Sequence, residues 1–289
     1  MPARARTWSR SLNATALTLI FVAAIAHASW NLFSKQASVT GAASFVWLMS
    51  TVATVVYLPV VAATVIASPP RLTALCWVFM AGTGLLQAGY FLFLQTGYRL
   101  GDLSLVYPIG RGTGALLAAL AGILFIVVGL IILGVPAASA AAPASTTAAT
   151  TKAITFALVT GAFIAAYTLW DKYAVSTLKI PSLVQGYASL PVMALALTLF
   201  ALHTRARTAR VWRTYRRQVL GAAVLSPLAY ILVLTAMSFT AVSAVAPARE
   251  VSVLFGVLLG RRLLGEGSLA RRLGAAATIA TGIICIAVG

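Results

Sequence analysis

Residues 42–66 read AASFVWLMSTVATVVYLPVVAATVI, a run without one charged side chain. A helix needs about 20 mostly apolar residues to cross the hydrocarbon core of a bilayer. The run shows none of the polar–apolar alternation that a strand of a membrane barrel would carry. It reads as one transmembrane helix. Outward from it, the same reading gives spans at 12–33, 72–98, 103–135, 154–175, 183–202, 219–239, 243–260 and 273–288.

Composition agrees. Of 289 residues, 61% are hydrophobic and 9% are charged, and the mean hydropathy is +0.98. A soluble domain carries about 25% charged residues. No single soluble core could hide this much apolar surface, because a domain of this size still exposes much of its area. In lipid every backbone amide must be paired within the chain, which leaves helices or a closed barrel. Unbroken runs select helices. The expected fold class is an all-α polytopic membrane protein with nine or ten transmembrane helices, and the lipid bilayer is its expected partner. The first run ends in Ala26-His27-Ala28, which looks like a signal-peptide cleavage site. It is longer than the usual ~7–15-residue signal core, so it reads as a retained span. Cys76 and Cys285 lie inside apolar runs and read as small buried side chains, with no disulfide or metal role. No metal and no cofactor are expected.

The net charge is +17, with 21 Lys and Arg against Asp102, Asp171, Glu250 and Glu266. On a soluble protein this would suggest nucleic acid. On a membrane protein it reads as topology, since Lys and Arg collect in cytoplasmic loops. No nucleic-acid partner is expected, and the expected location is the cytoplasmic membrane of the cell, crossed many times.

The chain also resembles itself. Ala26-His27-Ala28-Ser29-Trp30-Asn31 aligns with Ala166-Tyr167-Thr168-Leu169-Trp170-Asp171 at an offset of 140. Tyr90-Phe-Leu-Phe-Leu aligns with Tyr230-Ile-Leu-Val-Leu at the same offset, and Pro108 with Pro247 at 139. Internal repeats in a helical membrane protein are typical of secondary transporters. This divides the chain into a first repeat (1–135), a low-complexity flexible linker (136–153) and a second repeat (154–289). The offset then rises to 153, where Val127-Val128-Gly129-Leu130-Ile131 meets Ala280-Thr281-Gly282-Ile283-Ile284. The first repeat is shortened there, and its fourth and fifth spans read as one run.

Charge counting bears on the number of spans. Apart from Arg111 and Arg249, taken as intramembrane, 19 basic residues remain. Nine spans with the N-terminus inside place 15 in the cytoplasm and leave Lys35, Arg99, Lys172 and Lys179 outside. Ten spans with the N-terminus outside give 13 and 6. The rule favours nine and tolerates ten.

A few polar side chains sit where the bilayer makes them costly. His27, Trp30 and Asn31 share one face of the first span. They read as a cavity stripe with His27 as a titratable contact, or as a helix–helix hydrogen-bond set. Tyr167, Trp170 and Asp171 repeat the stripe. Arg111 follows Pro108 in an apolar run. An arginine at the bilayer centre costs about 2.5–3.5 kcal/mol on insertion scales, so it should face an acid, free carbonyls or a watery cavity. It reads as an anion-binding or gating group, or as half of a structural ion pair. Gly110, Gly112 and Gly114 would let a neighbouring helix approach closely. Arg249 and Glu250 follow Pro247, and Glu250 either pairs with Arg111 or takes a coupling proton. Asp171 and Lys172, at a span end, read as interfacial. The sequence carries no phosphate-binding loop, no H-E-x-x-H and no G-x-S-x-G. The protein is not expected to be an enzyme.

Three segments resemble the EamA-type transporters of the drug/metabolite transporter superfamily. They are His27-Ala-Ser-Trp-Asn31 with Lys35, Tyr107-Pro-Ile-Gly-Arg-Gly112, and Ala246-Pro-Ala-Arg-Glu250. Leu264-Gly-Glu266 and the Gly-Ala-rich last span add to the resemblance, which covers nearly the whole chain. It implies two inverted repeats of five helices and alternating-access transport of a small metabolite. Carried over by position, the cavity candidates are His27, Trp30, Asn31, Tyr90 and Arg111, with Tyr167, Trp170, Tyr230, Arg249 and Glu250 in the second repeat. Glu250 and His27 are the coupling-proton candidates. The Gly-Glu loop implied after the fourth span has no counterpart in the first repeat. The expected function is a secondary active transporter of a small-molecule solute. The alternatives are a membrane-embedded lipid-modifying enzyme and a degenerate family member that no longer transports.

Overall fold

The structure is a computed structural model that describes residues 14–118, 144–240 and 251–266, together with 245, 270, 273–278 and 281. Among the described residues every regular element is helical. We number the α-helices α1 (Ala14–Ala37), α2 (Ala42–Ala67), α3 (Ala74–Leu100), α4 (Leu103–Ala118), α5 (Ala144–Ser176), α6 (Ser182–His203), α7 (Arg205–Phe239) and α8 (Val251–Leu264). A 3₁₀ turn at Ser38–Thr40 joins α1 to α2. Six of these helices (α1, α2, α3, α5, α6 and α7) are long and apolar enough to cross a membrane. The protein is a multi-pass helical membrane protein. The last expected span, 273–288, lies largely outside the described residues.

Local chemistry sets the helix ends. Gly41 has φ +122, a left-handed backbone that glycine tolerates, and turns the chain between α1 and α2. The Thr73 hydroxyl accepts from the Cys76 amide and caps α3. Pro59, Pro108, Pro191 and Pro227 all lie inside helices. The bilayer tolerates them where other groups take the freed carbonyls. Near Pro227, the Tyr57 hydroxyl donates to the Val224 carbonyl at 2.6 Å.

Two expectations are corrected here. The basic stretch 203–217, which the expected spans 183–202 and 219–239 left between them as a connecting loop, is mostly helix, the first part of α7. It contains no Gly or Pro, and Arg is a good helix former. Thr208 and Val211, three apart, are buried while Arg205, Arg207, Arg210, Arg213, Arg216 and Arg217 face outward. Tyr215, at φ −121, kinks the helix before the membrane-crossing part begins. Likewise, residues 144–153 of the expected linker are helical, so α5 starts ten residues before the expected span. Four of its ten residues are alanine, the best helix former, with no Gly or Pro, and Thr155 folds its hydroxyl onto the Thr151 carbonyl. Residues 136–143 lie outside the described residues.

The helices share two ends. At one end, Lys35 of α1 donates to the Tyr98 and Gly101 carbonyls that finish α3, at 2.6 and 2.7 Å. Gly101 also lies against Ala153 near the start of α5, and Gly41 against Arg207 at the start of α7. Glu266, just past α8, accepts from the Leu103 and Ser104 amides at 2.9 Å each and from the Ser104 hydroxyl at 2.6 Å. It thereby caps α4. At the opposite end, Lys172 of α5 donates to the Met237 carbonyl near the end of α7. The nine-span reading puts Arg99 and the 203–217 stretch on opposite faces of the membrane. Instead, Arg99, Arg207 and Arg210 line one basin at one end.

The packing is close. A Cβ on Gly114 would lie 2.6 Å from Ile164, and one on Gly161 would lie 2.8 Å from the Gly110 carbonyl. The small residues of α4 thus seat it directly on α5, as the glycine spacing implied. The Glu266 cap ties the two halves of the chain together. Glu266→Ala should lower stability by about 1–2 kcal/mol, the usual worth of a helix cap. Thermal unfolding in detergent checks this. An unchanged midpoint would mean the cap is idle.

Candidate functional site

A connected set of buried side chains runs through the middle of the bundle. It starts on α1, where the Trp30 indole N–H donates to His27 Nδ1 at 2.9 Å. An acceptor at Nδ1 places the proton of the neutral ring on Nε2. The Asn31 amide donates to the His27 carbonyl at 2.7 Å, and the Tyr98 hydroxyl of α3 donates to Asn31 Oδ1 at 2.5 Å. His27, Trp30 and Asn31 therefore do share one face, and that face looks inward.

Aromatic contacts carry the set across to the second half. Trp30 packs on Phe91 at 5.3 Å between ring centroids, and Phe91 on Tyr90 at 4.8 Å. Tyr90 meets Tyr167 edge-on at 5.6 Å, and Tyr167 meets Tyr230 at 6.2 Å. Edge-to-face geometry is the favoured arrangement for such rings. Five of the residues chosen from the sequence, His27, Trp30, Tyr90, Tyr167 and Tyr230, thus form one chain of contacts across both halves.

The chain ends on Asp171, whose placement corrects the sequence reading. Asp171 was expected at a membrane interface; it is 1% exposed. The Tyr230 hydroxyl donates to its Oδ2. Thr83 donates to Oδ1 at 2.5 Å and Gln185 at 3.2 Å. Gln185 also donates to Thr83 at 2.8 Å. One carboxylate so gathers α3, α5, α6 and α7. The physical reason is local: α5 runs on past Asp171, so the residue is not at the end of its helix. A buried carboxylate keeps its place only when hydrogen-bonded.

Beside Tyr230 a narrow cleft of about 10 Å³, room for about one water, lies between α2, α3, α6 and α7. Gln87, Phe91, Ser189, Ser226 and Tyr230 line it, and Ser189 donates to Gln87 at 3.2 Å. Ser34 and Gln95 are both fully buried. Among the described residues, neither the Ser34 hydroxyl nor either end of the Gln95 amide has a hydrogen-bond partner. Both lie one helical turn beyond the Trp30–Phe91 contact, on two helices that run the same way. Buried polar groups are almost always paired, so such groups call for an explanation.

Two other candidates sit elsewhere. Arg111 is 2% exposed and lies between α4 and α8, with Nη2 donating to Ser252 at 3.3 Å and its guanidinium 5.8 Å from the Tyr107 ring. Tyr107 donates to the same Ser252 hydroxyl at 2.8 Å. Trp170 points away from the aromatic chain. It stacks on Phe79 at 4.2 Å, donates to the Phe79 carbonyl at 2.9 Å and fills the space above Gly82. These are helix-packing contacts, apart from the other candidates. Arg249 and Glu250 lie outside the described residues.

The sequence reading missed Thr83, Gln87, Gln95, Gln185 and Ser189. Amides and hydroxyls recur at three- and four-residue spacing along α3 and α6, which is the signal that could have found them.

Among known proteins, no family model matches the chain. No curated protein matches it either. A solved crystal structure of a protein is similar over 96% of this chain and 96% of its own, with a TM-score of 0.61 and 15% identity. A likeness at that identity speaks to fold alone: a solved protein arranges its whole chain in a similar way.

Proposed function

We propose that the chain is a secondary carrier of the EamA type within the drug/metabolite transporter superfamily, moving a small polar or amphipathic solute across the cell membrane by alternating access. The observation that carries this reading is an exchange in the helix packing. α1 packs on α7 as α5 packs on α3; α2 packs on α7 as α6 packs on α3; and α1 packs on α8 as α5 packs on α4. These pairings are what two five-helix repeats related by a two-fold axis would make, with each half gripping the other. α1 and α5 also run in opposite directions, as inverted repeats require. The buried aromatic and polar chain lies across this junction, where the two halves would rock.

Topology follows on the same reading. α4 and α5 both begin at the basic end, so an even number of crossings separates their starts. That favours ten spans over nine. Among the described residues, the basic end holds Lys35, Arg99, Lys152, the six arginines of 205–217, Arg261 and Arg262. The opposite end holds Arg71, Lys172 and Lys179. The basic end then faces the cytoplasm, with the start of α1 outside. Arg111 favours an anionic or zwitterionic solute. The test is counterflow into proteoliposomes, run across panels of amino acids, organic acids and nucleobases. Accumulation of one labelled solute class is expected. Turnover of a lipid with no solute movement would overturn the proposal in favour of an enzyme.

A further inference from the structure

A groove on the outside of the bundle has no part in the carrier reading. It runs inward along α2 from Trp47 through Leu48 and Thr51 to Val52, against Ala201 and Leu202 of α6 and Trp212 of α7. Its volume is about 490 Å³, within the ~300–1,000 Å³ of ligand-sized sites. The walls are almost wholly carbon, and the Thr51 hydroxyl among them is buried. The Trp47 indole N–H is taken up by Thr198 at 3.1 Å, and the Thr208 hydroxyl by Ser44 at 3.0 Å. The occupant must therefore be apolar along its length.

The mouth of the groove is different. Arg205 stands on its rim beside Ala209 and Trp212. It is the first of four outward-facing arginines before the Tyr215 kink, and two more follow it. On the other flank of the same segment, Arg207 and Arg210 face Arg99 across a second basin. Glu266, at this end of the bundle, is turned to the first amides of α4. An amphipathic helix with arginines outward and an indole at its side is built to lie at a headgroup level.

From this combination we infer that the groove is a specific site for one acyl chain of an anionic phospholipid, with the headgroup phosphate held by Arg205. The apolar slot selects a chain, and the arginines select the charge of its headgroup. The short Trp47–Val52 track fits a chain entering from the basic end and running toward the membrane centre. The site does not depend on transport: it stands or falls on lipid binding alone.

Native mass spectrometry tests it, using full-length protein released from nanodiscs of mixed phosphatidylglycerol and phosphatidylcholine. Wild type should retain phosphatidylglycerol selectively. Arg205→Gln should cut that preference about fivefold, the weight of one arginine at an anionic surface. Ala209→Trp, which fills the groove, should lose the retained lipid altogether. Phosphatidylglycerol should raise the wild-type unfolding temperature, and inorganic phosphate should not. Equal retention of the two lipids by wild type would overturn the site, whether or not Ala209→Trp folds. Competition by inorganic phosphate would also overturn it, since charge alone would then suffice.

Discussion

Asp171→Ala should destabilise the bundle by about 2 kcal/mol, the range of a charge-assisted hydrogen bond lost in a buried site. The effect falls mainly on Tyr230, whose hydroxyl donates to Oδ2. Thr83 has a second acceptor in the Phe79 carbonyl at 3.0 Å, and Gln185 keeps its bond to Thr83. Asp171→Asn should cost less, because an acceptor oxygen remains for one side of the junction. Unfolding in mixed detergent measures both. A wild-type midpoint for Asp171→Ala would show that the four helices do not depend on this carboxylate.

Arg111→Ala should lower transport about tenfold or more while leaving the protein in the membrane at its normal level. Loss of one hydrogen bond from a charged group is worth ~1.5–3 kcal/mol, which is tenfold or more in an equilibrium. Abundance should hold for a separate reason. Burying the guanidinium costs about 2.5–3.5 kcal/mol, and removing it relieves that cost. Its bond to Ser252 is long, at 3.3 Å, and Tyr107 still holds Ser252 at 2.8 Å. Counterflow and quantitative blotting of the same membranes separate the two effects. Full transport would take Arg111 out of the solute path. Lost abundance would make it a structural residue.

The helical class was legible because a bilayer permits so few alternatives. Hydrophobic runs located α1, α2, α3 and α6 to within a few residues. The segments that were misread are those where hydrophobicity and helix formation part company. The arginines before Tyr215 are polar but helical, and so is the Ala-Thr stretch after Ala144. A hydropathy window sees neither. The candidate site was half legible. His27, Trp30, Tyr90, Tyr167 and Tyr230 stood out because the repeat pointed to them twice. Trp170 stood out for the same reason, yet it packs on Phe79, because a residue's place in a repeat does not fix which way its side chain turns. Asp171 was read as interfacial for its place at a span's end. Its three donors come from three other helices, and only the fold brings them together. Glu266 belongs with these cases: its partners lie 162 and 163 residues away.

The most direct test of alternating access uses one cysteine. Gln87 lines the cleft among α2, α3, α6 and α7. In a chain with Cys76 and Cys285 replaced by alanine, Gln87→Cys is treated with a membrane-impermeant thiol reagent from one face or the other. Labelling from either face in turn is expected, with each blocked by saturating solute. Labelling from one face only under every condition would contradict alternating access.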